Sequence, residues 1–259
     1  MSQSPPDPSG FYDALAGEYH LIFADWEASI ERQALALRAV LGSEGFPPPA
    51  RVLDCACGIG TQALGLAGAG YRVHATDISP VAVRRAEDEA SSRGLPASFG
   101  VADMRRLAEV VEGPFDVVVS ADNALPHLLT DEDLDAALGA IRSVLRPGGL
   151  LLATTRDYDA ILSISPRPTG DPPRPLEGGG PRRVVTQAWT WTDPERYRLD
   201  HFILVEEGHT WRVWHGEASY RAITRALLSE RLRQAGFSGV RWRMPEETGF
   251  FQPVVTARS

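Results

Sequence analysis

The chain has 259 residues, a formal net charge of −8 and an isoelectric point near 5.3, which argues against a polyanionic partner such as DNA or RNA. Hydrophobic residues make up 43% of it, enough to bury a core, and no apolar run approaches the roughly 18 residues that a membrane-spanning helix needs. The composition therefore predicts a globular protein with no nucleic acid and no membrane among its partners, and a small molecule suits its charge better.

The N-terminal part divides into a tail and a helical segment. Residues 1–10 are polar and rich in proline, without the charged and apolar regions of a secretory signal, which predicts a short disordered tail on a cytoplasmic protein. Residues 11–46 carry apolar positions such as Ile22 and Trp26 and predict an N-terminal helical cap. The run Pro47-Pro48-Pro49 separates this cap from the next region.

Strand and helix patterns alternate over residues 47–160, which are predicted to form the core. Ser79-Pro80 marks one helix start and Thr130, before three acidic residues, marks another. Alternating strands and helices imply parallel strands that are covered on both faces. With two late strands, the pattern predicts an α/β fold with a Rossmann-like, seven-stranded, mostly parallel sheet and helices on both faces. The strands expected in this region are 51–55, 71–76, 97–101, 115–120 and 149–155.

Residues 161–218 predict a lid loop followed by a small antiparallel β insertion. Residues 167–183 are dense in proline and glycine, which is typical of a mobile loop or lid. Residues 219–259 predict a helix and two strands that complete the core sheet. The aromatic side chains of the insertion are interpreted as packing residues, as walls of a ligand pocket or as a contact in a homo-oligomer. The expected elements are strands at 184–191, 197–206 and 210–217, a helix at 220–235, and strands at 240–244 and 251–257.

A glycine-rich turn follows the first strand, in the segment Asp54-Cys55-Ala56-Cys57-Gly58-Ile59-Gly60. Gly58 and Gly60 let the backbone turn sharply and approach a ligand closely, and the helix beginning at Thr61-Gln62 directs free amide groups toward a carboxylate. A dinucleotide enzyme would place glycine where Ala56 stands, and Asp54 would repel its pyrophosphate. Asp54 can instead bind a cationic amino-acid headgroup, directly or through water.

The next two strands also end at acidic residues. Asp77 ends the second strand, where a carboxylate can accept both ribose hydroxyls of a nucleotide, and the competing role of helix N-cap already belongs to Ser79. Asp103 follows the third strand and predicts a contact to an adenine amino group, with Met104 packing on the ring. Asp103 and Met104 each also suit a plain turn without a ligand.

The two cysteines, Cys55 and Cys57, are two residues apart and have no further ligand nearby. This spacing lacks the geometry of a disulfide, and a metal site would need more donors. We therefore expect buried packing residues there and no metal.

The motifs VLDCACGIG, HATDIS, VADM, FDVVVSADNALPHL and LRPGGLLLATTRDYD, in this order, resemble those of the Rossmann-fold (class I) methyltransferases that use S-adenosylmethionine (SAM). FYDALAGEYHLIFADW, DNALPHL, TTRDYD and GFFQPVVTAR are similar, more narrowly, to glycine/sarcosine N-methyltransferases and related small-molecule N-methyltransferases. The resemblance implies SAM as the cofactor and S-adenosylhomocysteine as its product. It also implies methyl transfer to the nitrogen of an amino acid or another amine-containing metabolite.

The resemblance further implies roles for individual residues in holding the cofactor. Tyr19 and Arg32 would close over the sulfonium and the carboxylate of SAM, and Asp122-Asn123-Ala124 would line the junction of cofactor and substrate. The cofactor-binding set is Tyr19, Arg32, Asp54, Ala56, Cys57, Gly58, Gly60, Gln62, Asp77, Ile78, Asp103, Met104, Ala121, Asp122 and Asn123.

Methyl transfer from a sulfonium is a direct displacement, so in-line positioning and exclusion of water are enough and no covalent nucleophile is needed. Asn123 is the first candidate to orient the acceptor amine, with Tyr12 and Tyr19 as aromatic walls or hydroxyl partners. His127 is a candidate base because its ordinary pKa is near neutrality; the competing interpretation is that it pins the loop.

Arg156 matches the family arginine that pairs with a substrate carboxylate, and a guanidinium suits that bidentate contact. A structural ion pair with Asp157 or Asp159 is the competing interpretation. Other functions also stay open at this point. They are an O- or C-methyltransferase of a secondary metabolite, a non-catalytic SAM-binding protein and an NAD-dependent oxidoreductase.

Overall fold

The computed structural model describes residues 8–176 and 181–259. Its first helix, α1 (Pro8–Leu15), begins inside the segment that was expected to be a disordered tail. Proline suits the first turn of a helix, where its missing N–H leaves no bond unmade, and Phe11 and Leu15 are buried against the insertion. The expectation of disorder is therefore wrong for residues 8–10, and residues 1–7 lie outside the described part.

A short 3₁₀ turn (Tyr19–Ile22) and the long helix α2 (Trp26–Ser43) complete the expected helical cap. The carboxylate of Asp25 accepts the N–H of Ala28 at 3.0 Å, which caps α2 at its start. Helix α2 packs on the helix that follows the glycine-rich turn, so the cap is held directly over that turn.

Seven strands form the large sheet in the order β10-β11-β5-β4-β1-β2-β3. The five strands of the alternating region are parallel, and the last two strands of the chain join antiparallel beside β5. The expected seven-stranded, mostly parallel sheet is confirmed. Its strands are β1 (Arg51–Asp54), β2 (Arg72–Asp77), β3 (Ala97–Val101), β4 (Phe115–Ser120), β5 (Leu145–Thr154), β10 (Ser238–Arg243) and β11 (Val254–Arg258).

Apolar side chains cover both faces of this sheet. Val52 and Leu53 are neighbours in β1 and point to opposite faces, yet both are fully buried. Such continuous burial is typical of parallel strands with helices on both sides. The chain runs outward from β1 in one direction and from β4 in the other, so the strand order reverses between them. Ligands bind at such a reversal, beyond the carboxyl ends of the strands.

The helices begin where side-chain caps predict. The Ser79 hydroxyl accepts the N–H of Ala82 at 3.0 Å, and the Thr130 hydroxyl accepts that of Asp133 at 3.1 Å, which confirms both expected starts. The helix expected from residue 220 begins at Arg225, because the strand β9 (Thr210–Arg221) continues into those residues. Within the described residues, no helix is long and apolar enough to cross a membrane. The remaining helices are α3 (Thr61–Gly68), α4 (Pro80–Ser92), α5 (Leu107–Val110), α6 (Asp131–Val144), α7 (Tyr158–Ser163), α8 (Arg225–Gln234) and α9 (Pro245–Thr248).

A second, four-stranded antiparallel sheet is inserted between β5 and β10, in the order β6-β7-β8-β9. The expected loop or lid is wrong for residues 170–176, which form β6. Its prolines are tolerated because β6 is an edge strand whose register shifts between Asp171 and Arg174. Residues 177–180 lie outside the described part. The strands are β6 (Gly170–Leu176), β7 (Arg183–Trp191), β8 (Arg196–Glu207) and β9 (Thr210–Arg221).

The insertion is packed against the core and the N-terminal cap. One face of its sheet buries Tyr197, Leu199 and Ile203 in a cluster that includes residues of α1 and α7. The expected boundaries at residues 160/161 and 218/219 fall inside α7 and β9 respectively. The homo-oligomer expected from its aromatic side chains stays a prediction.

Gly65 is where α3 meets α2 most closely. A Cβ at Gly65 would stand 2.7 Å from the Cβ of Ala34 and 2.9 Å from the carbonyl oxygen of Ile30. Since backbone cannot yield cheaply, we expect Gly65→Ala to lower the free energy of unfolding by about 1–3 kcal/mol. Urea denaturation followed by circular dichroism measures this change.

Gly139 in α6 is the matched control for that substitution, because a Cβ there would meet nothing within 4 Å. Gly139→Ala should raise the free energy of unfolding by about 0.5–1 kcal/mol, since alanine loses less backbone entropy in a helix. Equal effects of the two substitutions would contradict the tight packing of α2 on α3.

Candidate active site

Two cavities lie at the carboxyl ends of the parallel strands. The first cavity, about 270 Å³, lies over the ends of β1 to β4 and is covered by Tyr12 and Tyr19 of the N-terminal cap. The second cavity, about 880 Å³, lies between the end of β5, the cap and the inserted sheet. Asp122, just after β4, lines both cavities, so it marks the place where they meet.

The glycine-rich turn after β1 borders the first cavity. Gly58 and Gly60 have φ angles of 51° and 96°, in the left-handed region that favours glycine. A Cβ on Gly58 would stand 3.1 Å from the Tyr19 ring, so the tyrosine rests directly on the turn. Gly60 does not line the cavity; it begins α3 and packs against Leu64 and Ala86.

Asp54 is fully buried near this turn and does not itself line the cavity. Its Oδ1 accepts the N–H of Ala56 at 3.3 Å, whereas Oδ2 is buried without a hydrogen-bond partner among the described residues. Burial raises the pKa of Asp54 to about 7, and the neighbouring Asp77 carboxylate adds to this effect. A buried carboxylate with one oxygen free suits a cationic group, reached directly or through water.

Asp77 fastens the end of β2 to the glycine-rich turn. Its Oδ2 accepts the N–H of Gly58 at 2.8 Å and its Oδ1 accepts the N–H of Ser79 at 2.9 Å. It also lines the first cavity, and each carboxylate oxygen has a further lone pair for a ligand hydroxyl. Burial raises the pKa of Asp77 above its ordinary value. The side chain thus shapes the cavity as well as lining it.

Asp103, Met104 and Ile78 line the other end of the first cavity. The Asp103 carboxylate forms an ion pair with Arg105 at 2.6 Å, and Arg105 pairs with Asp133 at the same distance. Sequence reasoning missed Arg105 and Asp133. The acidic first turn of α6 was visible, but nothing in the spacing showed that it would meet the end of β3.

The turn after β4 has an unusual backbone. Asp122 and Asn123 have φ angles of 54° and 66°, a conformation that costs energy for residues with a Cβ. Neighbouring groups hold it in place: the N–H of Asp122 donates to the Thr154 hydroxyl at 2.8 Å, and the N–H of Arg156 donates to the Asn123 Oδ1 at 3.0 Å. Asn123 also donates through its Nδ2 to the Tyr158 hydroxyl at 3.1 Å.

Asn123 therefore lies differently from expectation. It lines neither cavity, and its amide ties the turn after β4 to the end of β5. The side chain of Asn123 thus lies behind the walls of both cavities. The neighbouring Asp122 is the one whose side chain borders both cavities, where it accepts a hydrogen bond from Gln252 at 3.3 Å.

Tyr12 and His127 form a pair at the wall of the first cavity. The Tyr12 hydroxyl and the Nε2 of His127 lie 2.8 Å apart, and the imidazole packs on Tyr220 with ring centroids 4.1 Å apart. Burial lowers the pKa of His127 to about 4, so the ring is neutral and a weak base at neutral pH. These contacts support the interpretation that His127 pins its loop.

Arg156 lines the second cavity without forming an ion pair within the described residues. One guanidinium nitrogen donates to the Oε1 of Gln187 at 2.9 Å, and the group lies 4.8 Å from the centroid of the Trp189 ring. Asp157 and Asp159, the partners of the competing interpretation, pair with Arg225 instead, at 3.1 and 3.4 Å. That interpretation is wrong.

Arg32 lies away from the place that was expected of it. It lines the second cavity and not the first, and it is exposed there. The residue after it, Gln33, accepts a hydrogen bond from Gln62 at 2.8 Å, and Gln62 lines the first cavity. The cap thus contacts both cavities, with Gln33 and Gln62 between them.

The structure gathers most of the expected residues around the first cavity and separates five from it. Arg32 and Arg156 line the second cavity, whereas Asp54, Gly60 and Asn123 line neither. The residues that were expected and line the first cavity are Tyr12, Tyr19, Ala56, Cys57, Gly58, Gln62, Asp77, Ile78, Asp103, Met104, Ala121, Asp122 and His127.

Cys55 and Cys57 are buried free thiols, as packing residues would be. Burial raises the pKa of both thiols well above the ordinary value, so neither is a ready thiolate. Among the described residues, one group with metal-ligand atoms within 4.8 Å of one another, Asp200, His215 and Glu217, lies on the outside of the inserted sheet, away from both cavities.

Comparison with known proteins agrees with this geometry. Residues 52–149 match the family model described as a methyltransferase domain. The chain is 32% identical over 138 residues to a glycine/sarcosine N-methyltransferase of Parasynechococcus marenigrum, covering 53% of this chain and 48% of the relative. It is 34% identical over 131 residues to the mouse glycine N-methyltransferase, covering 46% and 45%. The chain thus spans about half the length of the curated relatives it matches.

Solved structures share the fold over nearly the whole chain. The CcbJ methyltransferase from Streptomyces caelestis superposes with a TM-score of 0.77 at 20% identity, covering 98% of this chain and 99% of that one. A SAM-bound amino pentose methyltransferase from Micromonospora echinaspora superposes with a TM-score of 0.72 at 20% identity, covering 89% and 91%.

The family model identifies residues 52–149 as a methyltransferase domain, and the fold is that of the class I, SAM-dependent methyltransferases. The cofactor of this class is S-adenosylmethionine, as expected from the sequence. Two observations fit the first cavity to that group. Asp54 has a buried oxygen left for a cation, and Gly58, which has no Cβ, lets the Tyr19 ring rest on the turn at the wall of the cavity. When bound, SAM supplies an electrophilic methyl group on a sulfonium.

Asp77→Asn should weaken the binding of S-adenosylhomocysteine about 10-fold. The carboxylate accepts one backbone N–H on each oxygen, whereas an amide has one oxygen and must face the other N–H with its own NH₂ group. Isothermal titration calorimetry measures the dissociation constant. Asp88→Asn, the same change on the exposed side of α4, is the control, and an unchanged affinity of the Asp77 variant would contradict this role.

The affinity for S-adenosylhomocysteine should rise between pH 5.5 and 7. Because the pKa of Asp54 is about 7, the carboxyl is largely protonated at the lower pH, and an ammonium group binds its ionised form. Binding then releases a proton, and we expect roughly a 10-fold change in the dissociation constant over this range. Asp54→Asn should bind more weakly at pH 7 and lose the dependence. A dependence that survives in this variant would assign it to another group.

Proposed function

We propose that this protein transfers the methyl group of SAM to the nitrogen of a small molecule that also carries a carboxylate. Arg156 carries the proposal. It is a partly buried cation that lines the second cavity and pairs with no acidic side chain in the described part of the chain. A guanidinium in such a place suits an anionic ligand, and a carboxylate matches its planar pair of donors.

The arrangement of the cavities supports a transfer between two molecules. The first cavity has the features that suit the cofactor, and the second has Arg156, a cation without an ion pair in the part of the chain that the structure describes. Asp122 lines both, so a group passing from one ligand to the other passes beside this carboxylate. Burial raises the pKa of Asp122, while Arg156 and the hydrogen bond from Gln252 oppose the effect. We expect its oxygen to accept a hydrogen bond from the acceptor amine.

Direct displacement requires the protein to align the methyl donor with the acceptor and to exclude water. Tyr19 covers the glycine-rich turn, and Tyr12 is held by His127 beside it, so aromatic rings close the first cavity toward the cap. Neither contact supplies a nucleophile. A neutral amine is itself the nucleophile and needs none from the protein. A site built of aromatic rings therefore suits nitrogen as the methyl acceptor.

The competing functions have less support. An O- or C-methyltransferase would need a base more often, and the lowered pKa of His127 makes it a weak one. A protein that only binds SAM would have no use for the unpaired Arg156 in a second cavity. The names of the relatives, glycine/sarcosine and glycine N-methyltransferases, also favour nitrogen and a carboxylate-bearing acceptor.

A panel of amino acids, amines without a carboxylate, and phenols, assayed for release of S-adenosylhomocysteine, tests this proposal. We expect turnover with amino acids. With the best of them, Arg156→Gln should raise the Michaelis constant by about 10-fold or more, because the charge-assisted pair is lost, and should leave the affinity for S-adenosylhomocysteine nearly unchanged.

Arg84→Gln is the matched control, because Arg84 is exposed on α4 and lines neither cavity. Turnover confined to phenols would overturn the choice of nitrogen. An unchanged Michaelis constant in Arg156→Gln would overturn the carboxylate contact.

A further inference from the structure

A chain of hydrogen bonds in the second cavity fixes the orientation of the Gln187 amide. Its Oε1 accepts from a guanidinium nitrogen of Arg156 at 2.9 Å and from the indole nitrogen of Trp189 at 3.1 Å. Both partners have donors and no acceptor, so the oxygen must face them. The Nε2 of Gln187 therefore points the other way, toward the Nδ1 of His201 at 3.0 Å.

This orientation decides which nitrogen of His201 carries the hydrogen. The Gln187 amide nitrogen donates, so the Nδ1 of His201 must accept. Burial lowers the pKa of His201 to about 4, and the ring is neutral at neutral pH. A neutral imidazole has one N–H, and with Nδ1 accepting, it lies on Nε2.

The Nε2–H of His201 has no hydrogen-bond acceptor within residues 8–176 and 181–259. The residue is only 6% exposed and lines the second cavity together with Arg156 and Gln187. A buried donor without an acceptor is costly, and native structures leave few of them. The missing acceptor is therefore expected from a molecule that enters the cavity.

We propose that His201 is a specificity residue whose Nε2–H donates to a side-chain oxygen of the methyl acceptor, while Arg156 holds its carboxylate. This inference rests on the function proposed above and narrows it. The acceptor is an amino acid with an oxygen beyond its carboxylate, and the cavity of about 880 Å³ has room for one larger than glycine. Gln187 connects the two contacts, because it holds both Arg156 and His201.

Three pairs of amino acids test the inference by placing a hydroxyl at increasing distance from the α-carbon. They are alanine and serine, 2-aminobutyrate and homoserine, and norvaline and 5-hydroxynorvaline. Binding to the protein saturated with S-adenosylhomocysteine is measured by calorimetry. In at least one pair, the hydroxylated member should bind about 10-fold more tightly, since one hydrogen bond to a buried donor distinguishes them.

Two substitutions separate direct contact from support of Gln187. The amide oxygen of His201→Asn can take the place of Nδ1 and keep the bond from Gln187, but this variant lacks a donor at the Nε2 position. His201→Gln can place an amide N–H near the Nε2 position. We expect His201→Asn to lose the 10-fold preference while binding the plain member normally, and His201→Gln to keep part of it. His209→Asn, on the exposed turn before β9, should behave as the native protein.

The outcomes are distinct. Equal affinities within every pair, with amino acids still binding, would overturn the role of His201 and leave the proposed carboxylate acceptor intact. A preference kept in His201→Asn and lost in His201→Gln would show that the ring only positions Gln187. If no amino acid binds while amines without a carboxylate yield S-adenosylhomocysteine, the proposed acceptor fails and this inference fails with it.

Discussion

The tie between the ends of β4 and β5 is the constraint on which the rest of the site depends. Two consecutive residues, Asp122 and Asn123, adopt left-handed backbone that neither prefers. The Thr154 hydroxyl accepts one N–H of this turn, and the Asn123 amide accepts the N–H of Arg156. One set of bonds thus turns Asp122 toward both cavities and positions the backbone of Arg156 at the second.

Charge is arranged in the site as a cationic cofactor requires. Asp54, Asp77 and Asp122 are carboxylates at the ends of three adjacent strands, and burial raises the pKa of each. A buried negative charge is costly unless positive groups or hydrogen-bond donors face it, and the backbone N–H groups here meet only part of that need. The positive groups of SAM can neutralise the rest of this charge. We therefore infer that cofactor binding and the ionisation of these carboxylates are coupled.

The inserted sheet supports the second cavity from the other side. Tyr197 stacks on Tyr220 with ring centroids 5.6 Å apart, and Trp189 packs beside Tyr197 at 5.1 Å. Aromatic faces hold a guanidinium without neutralising it, which leaves Arg156 free to pair with an anion. The same sheet brings Gln187 and His201 to this group. The cofactor side of the site therefore belongs to the common fold, and the acceptor side is built largely by the insertion.

Sequence alone predicted the seven strands of the large sheet and SAM as the cofactor. The apolar periods, the caps at Ser79 and Thr130, and the acidic residues ending successive strands are local signals, and parallel strands place their carboxyl ends together. The same local reasoning failed at β6, because its prolines resemble a loop until a neighbouring strand pairs with it at a sheet edge.

Only the tertiary structure decided how the side chains divide their roles. Asp157 and Asp159 stand nearest to Arg156 in sequence, yet they pair with Arg225 across the fold, and Arg156 forms no ion pair with any residue that the structure describes. Asn123 turned inward because the end of β5 satisfies its amide. The proposed role of His201 as a hydrogen-bond donor depends on Gln187, its partner on a neighbouring strand. Spacing along the chain cannot encode such partners, since they arise from which elements pack together.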